Sequence, residues 1–185
     1  VVWSKIEQII ELNEIEHPVV REALKWMNIP FGMEIHHNGD LPARSGLGSS
    51  SAFAASMLNM LHLLKGNKVD KISLIKESIY LEQTILKENV GVQDQILTVQ
   101  GGFNHVQIKT NGDFKVNPLV LSKDKQQELE SNILMFYTGV SRFSSNVAAD
   151  SINAIPKKQT DLFEMQKMVD IAINILLNGN DLDDF

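Results

Sequence analysis

Apolar positions mark out most of the chain before any chemistry is considered. Ile6, Ile9 and Ile10 recur at helical spacing and predict a first helix over Ser4 to Leu12. A second opens at His17-Pro18, where proline in the first turn gives up no needed N–H, and carries Val19, Val20, Ala23, Leu24 and Met27 along one stripe. Phe31, Met33 and Ile35 then alternate with Gly32, Glu34 and His36, the signature of a half-buried strand. From Ser50 to Leu64 the chain is apolar nearly all round, which predicts a buried helix with small residues on its first turns and Gly66 as its stop. Another helix is expected from Asp70, its candidate N-cap, to Lys87, and a short one from Asp94 to Gln100 ended by Gly101-Gly102. Thr110-Asn111-Gly112-Asp113 between two apolar runs predicts a hairpin. After the charged Lys123 to Glu128 comes Asn132 to Tyr137, read as an apolar strand, with a domain change between them. The last helix spans Asp161 to Leu177 and carries Leu162, Met165, Met168, Val169, Ala172, Ile173 and Leu176. Helices with few strands in one continuous body predict an α+β fold.

The segment Leu41-Pro42-Ala43-Arg44-Ser45-Gly46-Leu47-Gly48-Ser49-Ser50-Ser51-Ala52 links the predicted strand to the buried helix. Gly46 and Gly48 permit close backbone approach, and Ser49 or Ser50 can cap a helix whose free N–H groups and positive dipole end face the loop. Such a place suits a phosphate. It is not a Walker A loop, because no lysine follows either glycine. A dinucleotide fingerprint fits poorly: Ser51 stands where a third glycine belongs, and Asp70 lies in what reads as a helix-to-helix turn. A capped helix after an ordinary glycine turn is the plainer alternative.

Two carboxylates stand out. On the helix from Asp70, Glu82 falls within the apolar arc formed by Ile72, Leu74, Ile75, Ile79, Leu81, Ile85 and Leu86. A carboxylate facing the core requires a partner, either a lysine or arginine or a metal ion. Asp94 follows a loop containing Gly91 and, by residue type alone, is a helix cap. His36 and His37 are adjacent on the predicted strand and so point to opposite faces, which does not suit a shared ion.

Composition narrows the classes. With 185 residues, 43% of them hydrophobic, the chain can bury a core. A net charge of −6 and a pI near 5.3 argue against nucleic acid as a partner. The absence of cysteine excludes disulfides and thiolate metal sites and is compatible with a cytoplasmic setting. No run of about 18 apolar residues exists for a membrane span, and the start lacks a signal-peptide layout. A beginning without methionine and an end at Gly179 to Phe185 without a closing element suggest a piece of a longer protein.

Pro42 to Ser51, with Gly91-Val92-Gln93-Asp94-Gln95 and Tyr137-Thr138-Gly139-Val140-Ser141-Arg142 downstream, resembles the GHMP kinases, most closely their sugar-1-kinase branch. The resemblance runs from about Pro18 to the end. It implies an N-terminal domain over 1–126 like the second domain of ribosomal protein S5, lacking its first strands, and the start of a ferredoxin-like C-terminal domain over 127–185. It implies an ATP-dependent kinase whose nucleotide phosphates rest on the loop, with Pro42, Arg44, Ser45, Gly46, Leu47, Gly48, Ser49, Ser50 and Ser51 as binding residues. Mg²⁺ would be held by Ser50 and Glu82, and Asp94 would lie beside the accepting hydroxyl as base or orienting group. Gly139 and Arg142 would approach the sugar, though Arg142 serves equally well as a surface ion pair. The implied partner is a small sugar phosphate, heptose 7-phosphate first, with fucokinase-like and galactokinase-like enzymes as alternatives. A non-catalytic nucleotide-binding α+β protein is the competitor from another class.

Overall fold

The computed structural model describes residues 1–40, 46–136, 154–179 and 181–185. They form two compact units, one of residues 1–100 and one of the described residues from Gly101 onward. Helices and one small antiparallel sheet make the chain α+β.

The first unit is helical. Helix α1 (Pro18–Trp26) starts on its proline and buries Val19, Val20, Ala23 and Leu24. Helix α2 (Ser49–Leu64) buries Ser51, Ala54, Ala55, Met57, Leu58 and Leu61. Together with Ile15, Ile35, Leu74 and Leu81, the apolar side chains of these two helices other than Ala55 form one core, each large one contributing about 1.5–3 kcal/mol by leaving water. Gly66, at φ +75°, turns the chain out of α2 as expected. Helix α3 (Lys71–Ile79) is capped by Asp70, whose carboxylate accepts from Ser73 N at 3.0 Å and Ser73 Oγ at 2.6 Å. Helix α4 (Gln93–Gln100) ends at Gly101 and Gly102, both at positive φ.

Four expectations for this unit are corrected. Residues 4–11 are not helical: Val2 bridges to Ile6 and His36, and the first helical turn is 3₁₀ at Leu12–Glu14, where Glu14 Oε2 accepts from Glu11 N at 3.2 Å. Ile6 and Ile10 are 75% and 94% exposed, so the isoleucine stripe has no surface to pack on and nothing drives the helix. The Phe31–His36 strand reduces to one bridge, with Val2 N donating to Ile35 O and His37 N to Val2 O; a ladder cannot lengthen where its partner turns back at once. The cap of α2 is Gly48 rather than Ser49 or Ser50. Finally, the helix from Asp70 does not run evenly to Lys87. It widens after Ile79 into a π turn (Tyr80–Ile85), marked by Leu86 N donating to Leu81 O, and leaves the helix at Lys87 with φ +57°. In that wider turn the consecutive residues Leu81 and Glu82 are both buried.

The second unit carries the hairpin of β1 (Asn104–Ile108) and β2 (Phe114–Pro118), in register Val106 to Val116, with Gly112 at φ +86° in its turn. The charged stretch forms helix α5 (Lys123–Ser131), started by Ser122 Oγ accepting from Lys125 N. Helix α6 (Gln159–Asn178) contains the predicted last helix, and Lys125 Nζ reaches its Ile175 carbonyl at 3.2 Å. The apolar run after Asn132 is not a strand: Ile133, Leu134, Met135 and Phe136 are exposed, and among the described residues no chain pairs with them. Tyr137, the last residue of that predicted strand, lies outside the described residues together with the rest of 137–153.

Candidate functional site

The N-terminal end of α2 is where the expected chemistry gathers. Gly46 and Gly48 sit at φ +78° and +71°, a conformation that residues with a Cβ adopt at a cost. Gly48 is the cap: Ala52 N donates to its carbonyl at 2.9 Å, and no side chain fills the capping role. Among the described residues, the N–H groups of Ser49, Ser50 and Ser51 have no acceptor outside the helix, which leaves them as the open donors of a helix start. A glycine cap with open N–H donors at a helix start is a local geometry that suits an anion. Pro42, Arg44 and Ser45 lie outside the described residues, as do Gly139 and Arg142.

Asp94, the second residue of α4, packs against this loop. A Cβ added to Gly48 would meet Asp94 Cγ at 3.2 Å and its Oδ2 at 3.5 Å. The aspartate is exposed, and among the described residues its carboxylate accepts no hydrogen bond, so it is not capping its own helix. Its oxygens are open to solvent beside the glycine turn. Thr98 Oγ1, one turn on, anchors to the Asp94 carbonyl at 2.7 Å.

Directly inside lies the second carboxylate. Glu82 is 1% exposed on the π turn. Ser51 Oγ donates to its Oε2 at 2.9 Å and reaches Oε1 at 3.2 Å, and Gln95 Nε2 also donates to Oε2. Burial pushes the Glu82 carboxyl above its ordinary range; the donors Gln95 and Ser51 oppose this, while the charges of Glu88 and Asp94 add to it. Sequence left a basic side chain or a metal as the partner, yet no ion pair reaches Glu82 among the described residues. Its partners are a hydroxyl and an amide.

Of the expected pair Ser50 and Glu82, the glutamate is in the interior and Ser50 is exposed on the first turn of α2. The hydroxyl that meets Glu82 belongs to the next residue, Ser51. Gln95 stands in one of the motifs that carry the family resemblance, but no role attaches to it from residue type or spacing; its signal was its place beside Asp94 at a helix start, which sends one side chain to the loop and the next inward. Its Oε1 is buried with no hydrogen-bond partner. Glu82, the Ser51 hydroxyl beside it and that orphan carbonyl oxygen are all oxygen donors, and among the described residues no cationic side chain pairs with Glu82, a chemistry that fits Mg²⁺.

His17 packs between Trp3, which it meets edge-on, and Phe53, with ring centroids 4.8 and 4.9 Å away, and the His37 ring centroid lies 4.3 Å from that of Phe53.

Residues 12–102 match the family model of the GHMP kinases N terminal domain. The chain is 26% identical over 118 residues to a D-glycero-alpha-D-manno-heptose 7-phosphate kinase of Campylobacter jejuni, covering 64% of this chain and 35% of that protein. It is 30% identical over 147 residues to an L-fucokinase/L-fucose-1-P guanylyltransferase of Bacteroides fragilis, covering 77% of this chain and 15% of the relative. A galactokinase of Levilactobacillus brevis is 30% identical over 111 residues, 59% of this chain and 29% of its own length. The chain thus spans about a third or less of each of these curated relatives.

Proposed function

We propose, for a chain that belongs to the GHMP kinases through its N-terminal domain at residues 12–102, that the protein transfers the γ-phosphate of ATP to the anomeric hydroxyl of a sugar or sugar phosphate. The observation that carries this reading is the close approach of Asp94 to Gly48, near enough that a Cβ on the glycine would stand 3.2 Å from the aspartate's Cγ. It sets a solvent-facing carboxylate beside a loop and helix start suited to phosphate, so one residue can meet the acceptor hydroxyl while its neighbours meet the donor. Phosphoryl transfer asks mainly for positioning and charge stabilisation, and few side chains suffice for that.

In this reading Pro42, Arg44 and Ser45 to Ser51 bind ATP, with the open N–H groups of Ser49 to Ser51 donating to phosphate oxygens. Asp94 orients or deprotonates the attacking hydroxyl, and Gly139 and Arg142 approach the sugar. Ser50 and Glu82 would hold Mg²⁺, which when bound neutralises phosphate charge. The reading includes a domain division at 126/127 with a ferredoxin-like C-terminal part, and a cytoplasmic setting. Among the described residues no helix is long and apolar enough to cross a membrane.

For the acceptor we favour D-glycero-D-manno-heptose 7-phosphate, supported by the motif resemblance and by the similarity to the Campylobacter jejuni kinase. The fucokinase and galactokinase relatives support a second reading, an unphosphorylated sugar. Incubating the intact protein with ATP and each of heptose 7-phosphate, fucose, galactose and mannose separates them. ADP release with a new phosphate at C1 of the heptose, located by ³¹P NMR, is the expected result. Preference for a free sugar would move the assignment to the second reading, and ATP binding without ADP release would leave a non-catalytic nucleotide-binding protein.

A further inference from the structure

We infer that Gln95 is a positioning residue for Glu82, holding the buried carboxylate in place for the cation at this site; the inference rests on the metal-binding role proposed for Glu82. Gln95 is 0% exposed and follows Asp94 directly. Its Nε2 donates to Glu82 Oε2, the oxygen that also takes the 2.9 Å bond from Ser51. The orientation of the amide is decided by its partner, since a carboxylate only accepts and the reversed amide would set oxygen against oxygen. That orientation leaves Gln95 Oε1 buried without a donor.

A residue kept only for packing would not carry such an orphan. Met fills a similar volume with no unpaired polar atom, and volume-conserving swaps are tolerated in cores. The amide is thus spent on Glu82. The place of Glu82 makes the need plain: it sits on a π turn, a locally irregular piece of backbone, and no basic side chain among the described residues fixes its carboxylate. Two neutral donors from different helices, Ser51 on α2 and Gln95 on α4, converge on its Oε2. Because Asp94 and Gln95 are consecutive, α4 carries in one dipeptide both the acidic group at the loop and the donor to the buried carboxylate. Groups that hydrogen-bond a metal ligand typically change metal affinity by about 10- to 100-fold when removed.

The test uses the intact protein and Mn²⁺ as the probe, its affinity read by electron paramagnetic resonance with a non-hydrolysable ATP analogue present. Gln95→Met and Gln95→Asn are compared with Glu82→Gln and with Gln95→Met in the Glu82→Gln background. Gln95→Met is expected to keep or raise the melting temperature, bind the analogue as before without metal, and lose about 10-fold or more in Mn²⁺ affinity. Gln95→Asn, whose amide is too short to reach, should lose Mn²⁺ affinity as well and serves if the methionine variant does not fold. In the Glu82→Gln background Gln95→Met should cost nothing further. Parental Mn²⁺ affinity in the Gln95 variants, with Glu82→Gln impaired, overturns the positioning role and leaves the metal reading standing. Parental affinity in Glu82→Gln overturns both, and a full additional loss in the double variant shows that Gln95 does not act through Glu82.

Discussion

Gly48 and Asp94 are close neighbours: a Cβ built on the glycine would stand 3.2 Å from the aspartate's Cγ. Two requirements therefore fall on one position, a left-handed backbone at φ +71° and room for the neighbouring carboxylate. Strain of this kind costs about 1–2 kcal/mol, which α2, with its buried Ala54, Leu58 and Leu61, can absorb. Gly48→Val is thus expected to keep its helix content by circular dichroism while losing measurable ATP binding in calorimetry. Unchanged ATP affinity would contradict the cradle.

The adjacent serines of α2 separate fold from chemistry. Ser51→Ala removes a donor to a buried carboxylate and should cost about 1–3 kcal/mol in urea unfolding. Ser50 is exposed, so Ser50→Ala should change stability by no more than about 0.5 kcal/mol and should instead weaken ATP binding more with Mg²⁺ present than without it. Equal stability losses for the two variants would show that the Ser51–Glu82 bond does not matter to the fold.

A third expectation concerns acid. Burial, aided by the charge of His37 and opposed by Glu7, pushes the His17 imidazole below its ordinary value of 6.5. A depressed pKa means that its stabilising contribution is complete above the unfolded value and is lost as pH falls through the folded one. The melting temperature should therefore drop below pH 6.5, and His17→Phe, which keeps a ring between Trp3 and Phe53, should show a smaller drop. The comparison is a pair of melting curves from pH 7.5 to about 5. Parallel pH profiles would remove His17 from the account.

What was legible in the sequence was local. Pro18 opening α1, Asp70 capping α3 and Asn111-Gly112 turning the hairpin each depend on a few neighbouring residues and an intrinsic backbone preference. The burial of Glu82 was also readable, because the apolar arc around it was long. What escaped depends on partners distant in sequence. The isoleucines of residues 4–12 had the right spacing for a helix but no surface to bury against, and the run from Ile133 to Phe136 had strand composition but no described neighbour to pair with. Spacing also could not decide which hydroxyl meets Glu82, since Ser50 and Ser51 differ by about 100° around the helix, and the widened turn that brings Glu82 inward has no composition of its own. Gln95 was hidden for the same reason: its partner is 13 residues away on another element.

The central claim is that Asp94 serves the acceptor hydroxyl of a phosphoryl transfer, and turnover by Asp94→Asn in the intact protein tests it most directly. Asparagine keeps the size and the packing on Gly48 but can neither take the proton nor hold the hydroxyl as a carboxylate does. At saturating ATP and sugar the account predicts a fall in kcat of about 10²-fold or more, with ATP affinity unchanged. Retention of most of the turnover by Asp94→Asn would contradict it.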